Sequence, residues 1–521
     1  MRLSVAAVAL IVAVVVGCRP SAPAGHRSPV LRLVIPDELK TLDPAHAYDT
    51  YSSAVSHAIC TGLVDYDEGT SLVPDLAAGW EISDQGRRYE FTLRPGVRFS
   101  TGAPVTSEDC RASLERVMRP ETASNVRSFL AGIVGAREVM EGRAGRCTGI
   151  ATPAADRLVI RLKEPSPTFL YVLAMNLGAI LPRDTARRPP EEVSWRPIGA
   201  GPYRVARWDG TTLTLAPNPH HPDATQLRPI ALETRASDPA LMMARFAAGE
   251  VHVLPLVPPA ELARVRHDPA LRGRFLEKPV NQTWYLGMNT RMKPFDDARV
   301  RRAVSLAINR QRQAQLEGAG VVATGMLPPT MPGHDPDLVP DPHDPRRARE
   351  LLAEAGHWQG LRTTMWITPS YRRRAEAIQA DLRAVGIEVE LRVVDLPTYL
   401  DGYKRENTAP CWYGGWYPDY PDPSSFLEVL FHSRNISPTK SLNATRYSNP
   451  EVDRLLDRAA RMPLGEARLA LYREAERRIL ADAPVVPLYY EVETRLWQPG
   501  VEGVEIHPVW RYLRLGRLRL R

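Results

Sequence analysis

One apolar run near the start of the chain sets the strongest limit on what this sequence can fold into. The run extends over 14 residues from Leu3 to Val16. A helix of that length is about 21 Å long, which is short of the ~30 Å hydrocarbon core of a membrane. The run is therefore typical of a signal peptide rather than of a membrane span. No later stretch approaches the ~18 apolar residues of a spanning helix, so we expect the rest of the chain to fold in water.

The end of this run predicts lipid attachment. Val15-Val16-Gly17-Cys18 resembles the bacterial lipobox, in which small residues admit a peptidase and the cysteine thiol takes a diacylglycerol. We expect residues 1–17 to be a signal peptide and residues 18–28 to be a lipidated tether that starts at Cys18. The protein is then exported and lipid-anchored to a membrane, facing the periplasm or the cell exterior. The alternative is cleavage at another position, with Cys18 incidental.

The composition is that of an ordinary globular protein, with 44% hydrophobic and 24% charged residues. These values exclude wholesale disorder, collagen and coiled coil. The formal net charge is +7, from 67 basic and 60 acidic residues, which is modest for 521 residues. No long basic stretch is interleaved with aromatic residues, so we expect no nucleic-acid partner. At ~150 residues per domain, the chain contains more than one domain.

The remaining cysteines are Cys60, Cys110, Cys147 and Cys411. Export permits disulfides, and four cysteines allow three full pairings. Cys110 and Cys147 are close in sequence and would share a subdomain, so we expect a disulfide between them; the alternative is buried free thiols. No CxxC pair and no His/Cys cluster has the spacing of a zinc site, so the sequence predicts no metal and no cofactor.

Local patterns indicate a mixed α/β protein whose first half is rich in strands. Residues 203–217 alternate around Asp209-Gly210, which predicts a β-hairpin. Residues 89–99 predict another hairpin, with its turn at Pro95-Gly96. The second half alternates helices with strands. Its clearest patterns are a helix from Asp344-Pro345 to Gly356, a helix that ends at Gly386, a helix over 451–461, and strands over 387–395 and 485–490.

The sequence lacks the motifs of common catalytic sites. It has no GxSxG elbow, no HExxH pair, no P-loop and no EF-hand loop. No carboxylate pair stands out for glycoside hydrolysis. We therefore expect a protein that is not an enzyme, with a secreted hydrolase as the remote alternative.

Several stretches, spread in order over nearly the whole chain after the tether, resemble one family. They are LDPAHAYDTYSSAVSHAICTGLVDYD (42–67), residues 72–117, GAGPYRV (199–205), FAAGEVHV (246–253), residues 284–310, ARELLAEAG (348–356), IQADLRAVGIEVEL (378–391), GGWYPDYPDP (414–423) and RYSNPEVDRLL (446–456). As an ordered set they are similar to the bacterial extracellular solute-binding proteins of family 5. These are the peptide/nickel-type receptors of ABC importers, and they include dipeptide- and oligopeptide-binding lipoproteins.

The resemblance implies a fold as well as a family. It implies an α/β, two-lobe periplasmic-binding-protein fold of type II, the large peptide-binding class, with the ligand enclosed between the lobes. Lobe I is expected to be discontinuous, over residues 29–281 and 489–521, with an extra subdomain inserted at about 73–198. Lobe II is expected over residues 282–488.

The resemblance also implies a site for the ligand's amino end. Peptide-binding members pair the charged amino end with an aspartate in a motif like Trp-x-x-Asp-Tyr, which here is Trp416-Tyr417-Pro418-Asp419-Tyr420. Asp419 is therefore the expected partner, with Trp416, Tyr417 and Tyr420 as aromatic residues of the site. Asp422 could be confused with Asp419, and the alternative for Asp419 is a turn or cap residue in a Pro/Asp-rich loop.

Two further contributions to the site follow from the same resemblance. Dipeptide-type members use an arginine just before the IQAD-like helix for the ligand's carboxylate, and the match here is Arg372, with Arg373 beside it. A guanidinium suits this role because it grips a carboxylate in two parallel bonds. The first lobe is expected to contribute Ala47, Tyr48 and Asp49, largely through the backbone.

The implied function is a receptor that captures peptides in the cleft and delivers them to an ABC permease and its ATPase. The receptor is expected to be a monomer held at the membrane by its lipid anchor. A nickel chelate, haem or an oligosaccharide bound by the same fold is the alternative. The aromatic residues near Trp416 leave the oligosaccharide as an alternative ligand, because sugar receptors present rows of aromatic rings.

Overall fold

The computed structural model describes residues 30–316 and 318–521. The expected signal peptide, the tether and the lipidation of Cys18 lie outside these described residues. Strands and helices are interspersed along the described chain. The strands are β1 (Leu31–Val34), β2 (Val64–Tyr66), β3 (Leu72–Pro74), β4 (Ala77–Ser83), β5 (Arg88–Leu93), β6 (Ile150–Ala154), β7 (Arg157–Arg161), β8 (Tyr203–Trp208), β9 (Thr212–Pro217), β10 (Ile230–Glu233), β11 (Val253–Leu254), β12 (Phe275–Met288), β13 (Val321–Val322), β14 (Leu361–Ile367), β15 (Ile387–Val393), β16 (Cys411–Trp416), β17 (Val485–Trp497), β18 (Val501–Glu502) and β19 (Arg519–Leu520).

The helices occur in both halves of the described chain. They are α1 (Thr50–Ile59), α2 (Ser107–Met118), α3 (Ala136–Met140), α4 (Phe169–Ala174), α5 (Pro190–Val193), α6 (Pro239–Ala247), α7 (Pro259–His267), α8 (Ala298–Ala307), α9 (Arg310–Leu316), α10 (Pro345–Glu354), α11 (Arg372–Arg383), α12 (Leu396–Gly402), α13 (Ser424–Phe431), α14 (Pro450–Arg461) and α15 (Glu466–Asp482). None of the helices in the described part of the chain has the length and apolar character needed to cross a membrane.

A large mixed sheet extends through both halves of the molecule. Its strand order is β15-β14-β16-β12-β17-β11-β1-β10-β9-β8, and β13 also pairs with β17. The long strands β12 and β17 are antiparallel neighbours at its centre, with Thr283 opposite Tyr490 and Trp284 opposite Tyr489. We call the side that contains β1 and β8 to β11 the first lobe, and the side that contains β14 to β16 the second lobe. The strands β12 and β17 therefore connect the two lobes.

A smaller antiparallel sheet, in the order β4-β5-β7-β6, belongs to the first lobe. Its strand β5 buries Tyr89, Phe91 and Leu93, as the alternation predicts. The hairpin predicted with its turn at Pro95-Gly96 is wrong, however. Both edges of β5 are already paired, one with β4 and the other with β7, so the chain after Gly96 has no free edge to return along.

Other local predictions are confirmed where turn and cap chemistry decides the structure. β8 and β9 form the expected antiparallel hairpin, and Gly210 in its turn has φ +95°. The side chain of Asp344 caps α10, and Gly356 after the end of that helix has φ +87°. Gly386 likewise has φ +91° between α11 and β15. A positive φ is accessible to glycine at low cost, so these glycines mark where elements end.

The expected disulfide between Cys110 and Cys147 is contradicted by the structure. Cys60, Cys110, Cys147 and Cys411 are all free and buried. Cys110 is a buried residue of α2. The Cys147 thiol donates a hydrogen bond to the Val134 carbonyl oxygen at 3.2 Å. Burial raises the pKa of the Cys147 thiol to about 11. Both cysteines therefore serve as small core residues, which is the alternative that the sequence left open.

Candidate functional site

A cavity of about 330 Å³ lies where the two lobes meet. It brings together five of the residues expected from the sequence. These are Ala47, Tyr48 and Asp49 from the first lobe, and Tyr417 and Asp419 from the second. The volume is at the lower end of the ~300–1,000 Å³ range of ligand pockets. The cavity therefore suits a small ligand that touches both lobes.

The loop that enters the cavity before α1 is held by a buried ion pair. The carboxylate of Asp43 accepts hydrogen bonds from two guanidinium nitrogens of Arg116, at 2.8 and 2.6 Å. Burial by itself would raise the pKa of Asp43, but hydrogen bonds to His46 and Arg116 bring it below its ordinary value. The Asp43 carbonyl oxygen also accepts the backbone N–H of Ala47 at 2.8 Å. The loop is thus positioned by the protein before any ligand binds.

Ala47 and Asp49 have their polar groups engaged within this loop. The Ala47 carbonyl oxygen accepts hydrogen bonds from Ser53 Oγ at 3.2 Å and from Asn176 Nδ2 at 3.1 Å. The Asp49 side chain caps the first turn of α1. Of the three residues expected from the first lobe, Tyr48 is the one that reaches across to the second lobe.

Tyr48 and Asp419 meet across the cleft. The Tyr48 hydroxyl donates a hydrogen bond to the Asp419 carboxylate. The Asp419 backbone N–H donates to Ser425 Oγ at 3.0 Å, which fixes the loop that carries it. Burial raises the pKa of Asp419, and the hydrogen bond from Tyr48 only partly opposes this. Asp419 forms no ion pair with any residue that the structure describes, so its carboxylate favours a positively charged ligand group.

The neighbouring aspartate, Asp422, is engaged inside the second lobe. Its carboxylate accepts hydrogen bonds from two guanidinium nitrogens of Arg468, at 2.6 and 2.9 Å. Its Oδ1 also accepts the backbone N–H of Ser424 at 3.0 Å, at the start of α13. The side chains of the pair are only 3% and 1% exposed. Asp422 is therefore a structural residue, and Asp419 is the one of the two that lines the cavity.

The three aromatic residues of the motif have different positions. Tyr417 lines the cavity, and its hydroxyl donates to the Val509 carbonyl oxygen at 2.5 Å. Trp416 packs against the second-lobe core and donates through Nε1 to a carbonyl oxygen of α13 at 2.7 Å. Tyr420 stacks on Tyr171 of the first lobe, with 6.2 Å between ring centroids. Tyr417 and Tyr420 therefore connect the lobes, while Trp416 supports the loop.

Arg372 does not line the cavity. Its side chain is 55% exposed at the start of α11 and lies 3.7 Å from Glu376. Arg373 is exposed as well, whereas the guanidinium carbon of Arg374 lies 5.1 Å from the ring centroid of Trp284 on β12. Side chains two positions apart on an α-helix, such as those of Arg372 and Arg374, point about 200° apart. The arginine of this triplet that faces the connecting strands is therefore Arg374.

A larger cavity, of about 1110 Å³, lies within the first lobe and contains none of the predicted site residues. Its walls carry charges of both signs, and burial together with the nearby Asp65 raises the pKa of Asp75 to about 7. His220 and His221 line it, but no group of His, Cys, Asp and Glu side chains within residues 30–316 and 318–521 could hold a metal ion. Because one lobe alone lines this cavity, closure of the lobes cannot enclose a ligand there.

Sequence reasoning missed several polar residues of the smaller cavity. Tyr66, Asn176 and Arg511 all line it. The Arg511 guanidinium lies over the Tyr417 ring at 4.9 Å and donates through Nε to Glu493 at 2.8 Å. These residues are far apart along the chain, and Tyr66 is one aromatic residue among several in a stretch that carried the resemblance. No local pattern could have shown that they meet at one cavity.

Comparisons with known proteins agree with this arrangement. The family model described as bacterial extracellular solute-binding proteins, family 5 Middle, matches residues 71–438. The glutathione-binding protein GsiB of Salmonella typhi is 28% identical over 486 residues, which cover 90% of each chain. The heme-binding protein A of Haemophilus influenzae is 30% identical over 479 residues, which cover 87% of this chain and 85% of the relative.

A solved structure shows the same fold at nearly full length. The clavulanic acid biosynthesis oligopeptide binding protein 2 superimposes with a TM-score of 0.85 and is 28% identical, over 94% of this chain and 95% of that chain. The expected α/β, two-lobe fold of type II is confirmed, and the matched proteins are binding proteins. The chain belongs to the bacterial extracellular solute-binding proteins of family 5, which act as receptors of ABC importers.

Proposed function

We propose that this protein captures short peptides between its lobes and that Asp419 holds the terminal ammonium of the peptide. The observation that carries the proposal is the buried Asp419 carboxylate, which lines the cavity between the lobes and accepts a hydrogen bond from Tyr48 without a cationic partner among the described residues. A carboxylate taken out of water is stabilised by a cation placed beside it. A free peptide amino end supplies that cation.

The cavity volume supports a short ligand. At about 330 Å³, the space suits a peptide of two or three residues better than a macrocycle such as haem. The relatives are named for binding glutathione, haem and oligopeptides. Glutathione and other short peptides share a free amino group, which is the group that Asp419 would recognise.

We further propose how the receptor is arranged at the cell surface. Cys18 carries the lipid, and residues 18–28 tether a monomeric receptor to the membrane. In this proposal the first lobe comprises residues 29–281 and 489–521, and the second lobe comprises residues 282–488. Substituting Cys18→Ser should move the protein from the membrane fraction to the soluble fraction. A protein that stays with the membrane would show that another anchor holds it.

Calorimetry with trialanine and N-acetyl-trialanine tests the role of Asp419. Removing one partner of a buried ion pair costs roughly 3–5 kcal/mol, or about two to three and a half orders of magnitude in affinity. We expect Asp419→Asn to lose that much affinity for trialanine. N-acetyl-trialanine should bind the unmodified protein poorly, because it buries the carboxylate without a cation. Asp156→Asn, at an exposed aspartate of the turn between β6 and β7, is the matched control and should bind normally.

The outcomes separate the parts of the proposal. If Asp419→Asn binds trialanine as tightly as the unmodified protein, the ammonium assignment is wrong. If the unmodified protein responds to sugars or metal chelates and to no peptide, the peptide ligand is wrong while the family assignment stands.

A further inference from the structure

Two buried polar atoms without a hydrogen-bond partner among the described residues belong to first-lobe residues that line the cavity. They are the hydroxyl oxygen of Tyr66 and Oδ1 of Asn176. Tyr66 is 2% exposed and Asn176 is 8% exposed. Because an unpaired buried polar atom is costly, native structures contain few of them. Other described residues also carry such atoms, but these two belong to residues of one cavity, which points to a ligand as their partner.

The orientation of the Asn176 amide is fixed by its other hydrogen bonds. Its Nδ2 donates to the carbonyl oxygen of Ala47 at 3.1 Å and to that of Ser53 at 2.9 Å. Both partners are carbonyl oxygens, which only accept hydrogen bonds, so the amide must be oriented with its nitrogen toward them. Oδ1 is therefore left as an acceptor, and it requires an N–H or O–H donor.

The ring of Tyr66 is held by aromatic neighbours. Its centroid lies 6.2 Å from that of Tyr171, nearly parallel at 14°, and 6.4 Å from that of Trp510. Burial raises the pKa of Tyr66, so its hydroxyl stays protonated and can donate or accept one hydrogen bond. The hydroxyl is thus fixed in place by packing rather than by a protein hydrogen bond.

We infer that Asn176 and Tyr66 are specificity residues for the amino-terminal end of the ligand, with Asn176 Oδ1 accepting a ligand N–H and the Tyr66 hydroxyl pairing with an adjacent polar group. The inference rests on the proposed function, because Asp419 in the same cavity determines which end of the peptide lies there. An ammonium has three N–H donors, and one carboxylate oxygen of Asp419 already accepts from Tyr48. Acceptors on the first lobe complete the recognition and make binding depend on both lobes.

Tyr66→Phe removes the hydroxyl and leaves the ring. By calorimetry with trialanine, we expect about a 3- to 10-fold loss of affinity, the usual effect of losing one hydrogen bond. Tyr89→Phe is the matched control, because Tyr89 is a buried first-lobe tyrosine whose hydroxyl donates to the Ser166 carbonyl oxygen at 2.9 Å and which does not line the cavity. The control should bind trialanine as the unmodified protein does.

Asn176 also supports the Ala47 loop, so its test must separate support from recognition. Trialanine is compared with trialanine methylated on its amino nitrogen, which keeps the positive charge and loses one N–H. The unmodified protein should bind the methylated peptide about 10-fold less tightly. In Asn176→Leu this penalty should largely disappear, because the acceptor is gone. A purely structural role would weaken both peptides equally and leave the penalty unchanged.

The combined results distinguish this inference from the proposed function. If Asp419→Asn loses trialanine while Tyr66→Phe binds normally and Asn176→Leu keeps the methylation penalty, the inference alone is overturned. If Asp419→Asn binds normally while the Tyr66 and Asn176 effects appear, the inference is supported and the role of Asp419 is overturned. If the unmodified protein binds no peptide, both are overturned.

Discussion

The two aspartates of the Pro/Asp-rich loop should have opposite phenotypes, and Asp422 provides the sharper test. Asp422→Asn leaves the Arg468 guanidinium buried without its carboxylate, in a pair whose side chains are only 3% and 1% exposed. The change also weakens the acceptor that binds Arg468 at 2.6 and 2.9 Å and accepts the Ser424 backbone N–H at 3.0 Å. Breaking such a pair destabilises a protein by roughly 3–5 kcal/mol. For a folding unit of about 200 residues, this corresponds to a Tm lowered by roughly 6–20 °C.

Differential scanning calorimetry and peptide binding together decide this case. Asp422→Asn should melt at a clearly lower temperature than the unmodified protein and should bind trialanine normally well below its Tm. Asp419→Asn should melt within a few degrees of the unmodified protein, because no buried cation loses its partner, and should lose trialanine binding. If Asp422→Asn keeps its Tm and loses the peptide, the ligand's ammonium pairs with Asp422 and the assignment of the two residues is reversed.

Three further measurements follow from individual residues. Burial raises the pKa of Glu476 to about 7 from its ordinary 4.5. The folded protein therefore holds the Glu476 proton more tightly than the unfolded chain does, and the stability gained in this way is present below pH 4.5 and lost as the pH rises to about 7. The free energy of unfolding in urea should fall by up to about 3 kcal/mol over that interval, and Glu476→Gln should flatten the dependence. Because burial raises the pKa of Asp419 above its ordinary 3.8, binding of a peptide ammonium should lower it again and release protons. Calorimetry near pH 5 in two buffers of different ionisation enthalpy should show this release, and its absence would argue against an ammonium beside Asp419. Peptide mapping of the unreduced protein should find Cys110 and Cys147 as free thiols, and a peptide linked through both would contradict the structure.

The fold was predictable where short-range chemistry decides it. A glycine at positive φ ends α10 and another turns the hairpin of β8 and β9, and these residues mark the same boundaries in the sequence. The hairpin expected at Pro95-Gly96 failed for a different reason. The turn chemistry at Gly96 is correct, with φ +77°, but β4 and β7 occupy both edges of β5. Turn residues show where a chain bends, whereas the competition among strands for an edge depends on distant segments.

The candidate site was predictable where a sequence motif places several of its residues in one loop. It was less predictable on a helix, where the direction of each side chain decides which residue faces the site. The loop motif located Asp419 and Tyr417 at the cavity, while Asp422 three residues on is buried with Arg468. On α11, a difference of two residues turns the side chain to the other side, so Arg374 and not Arg372 faces β12. Asn176 could not be assigned from sequence, because its importance depends on a buried atom left unpaired by the rest of the fold.

If Asp419 holds the ligand's ammonium as proposed, its charge links ligand binding to closure of the lobes. The structure has contacts that hold the lobes together, such as the hydrogen bond from Tyr48 to Asp419 and the stacking of Tyr420 on Tyr171. The same arrangement buries the Asp419 carboxylate and raises its pKa, so without a ligand the negative charge opposes closure. The proposed ligand ammonium would remove this opposition in the closed form and would have little effect in an open form, where water would solvate the carboxylate. Since a ligand shifts a conformational equilibrium only by its differential affinity for the two states, a peptide with a free amino end favours closure. A neutral molecule of the same size would lack this electrostatic contribution to closure and would favour the closed form less.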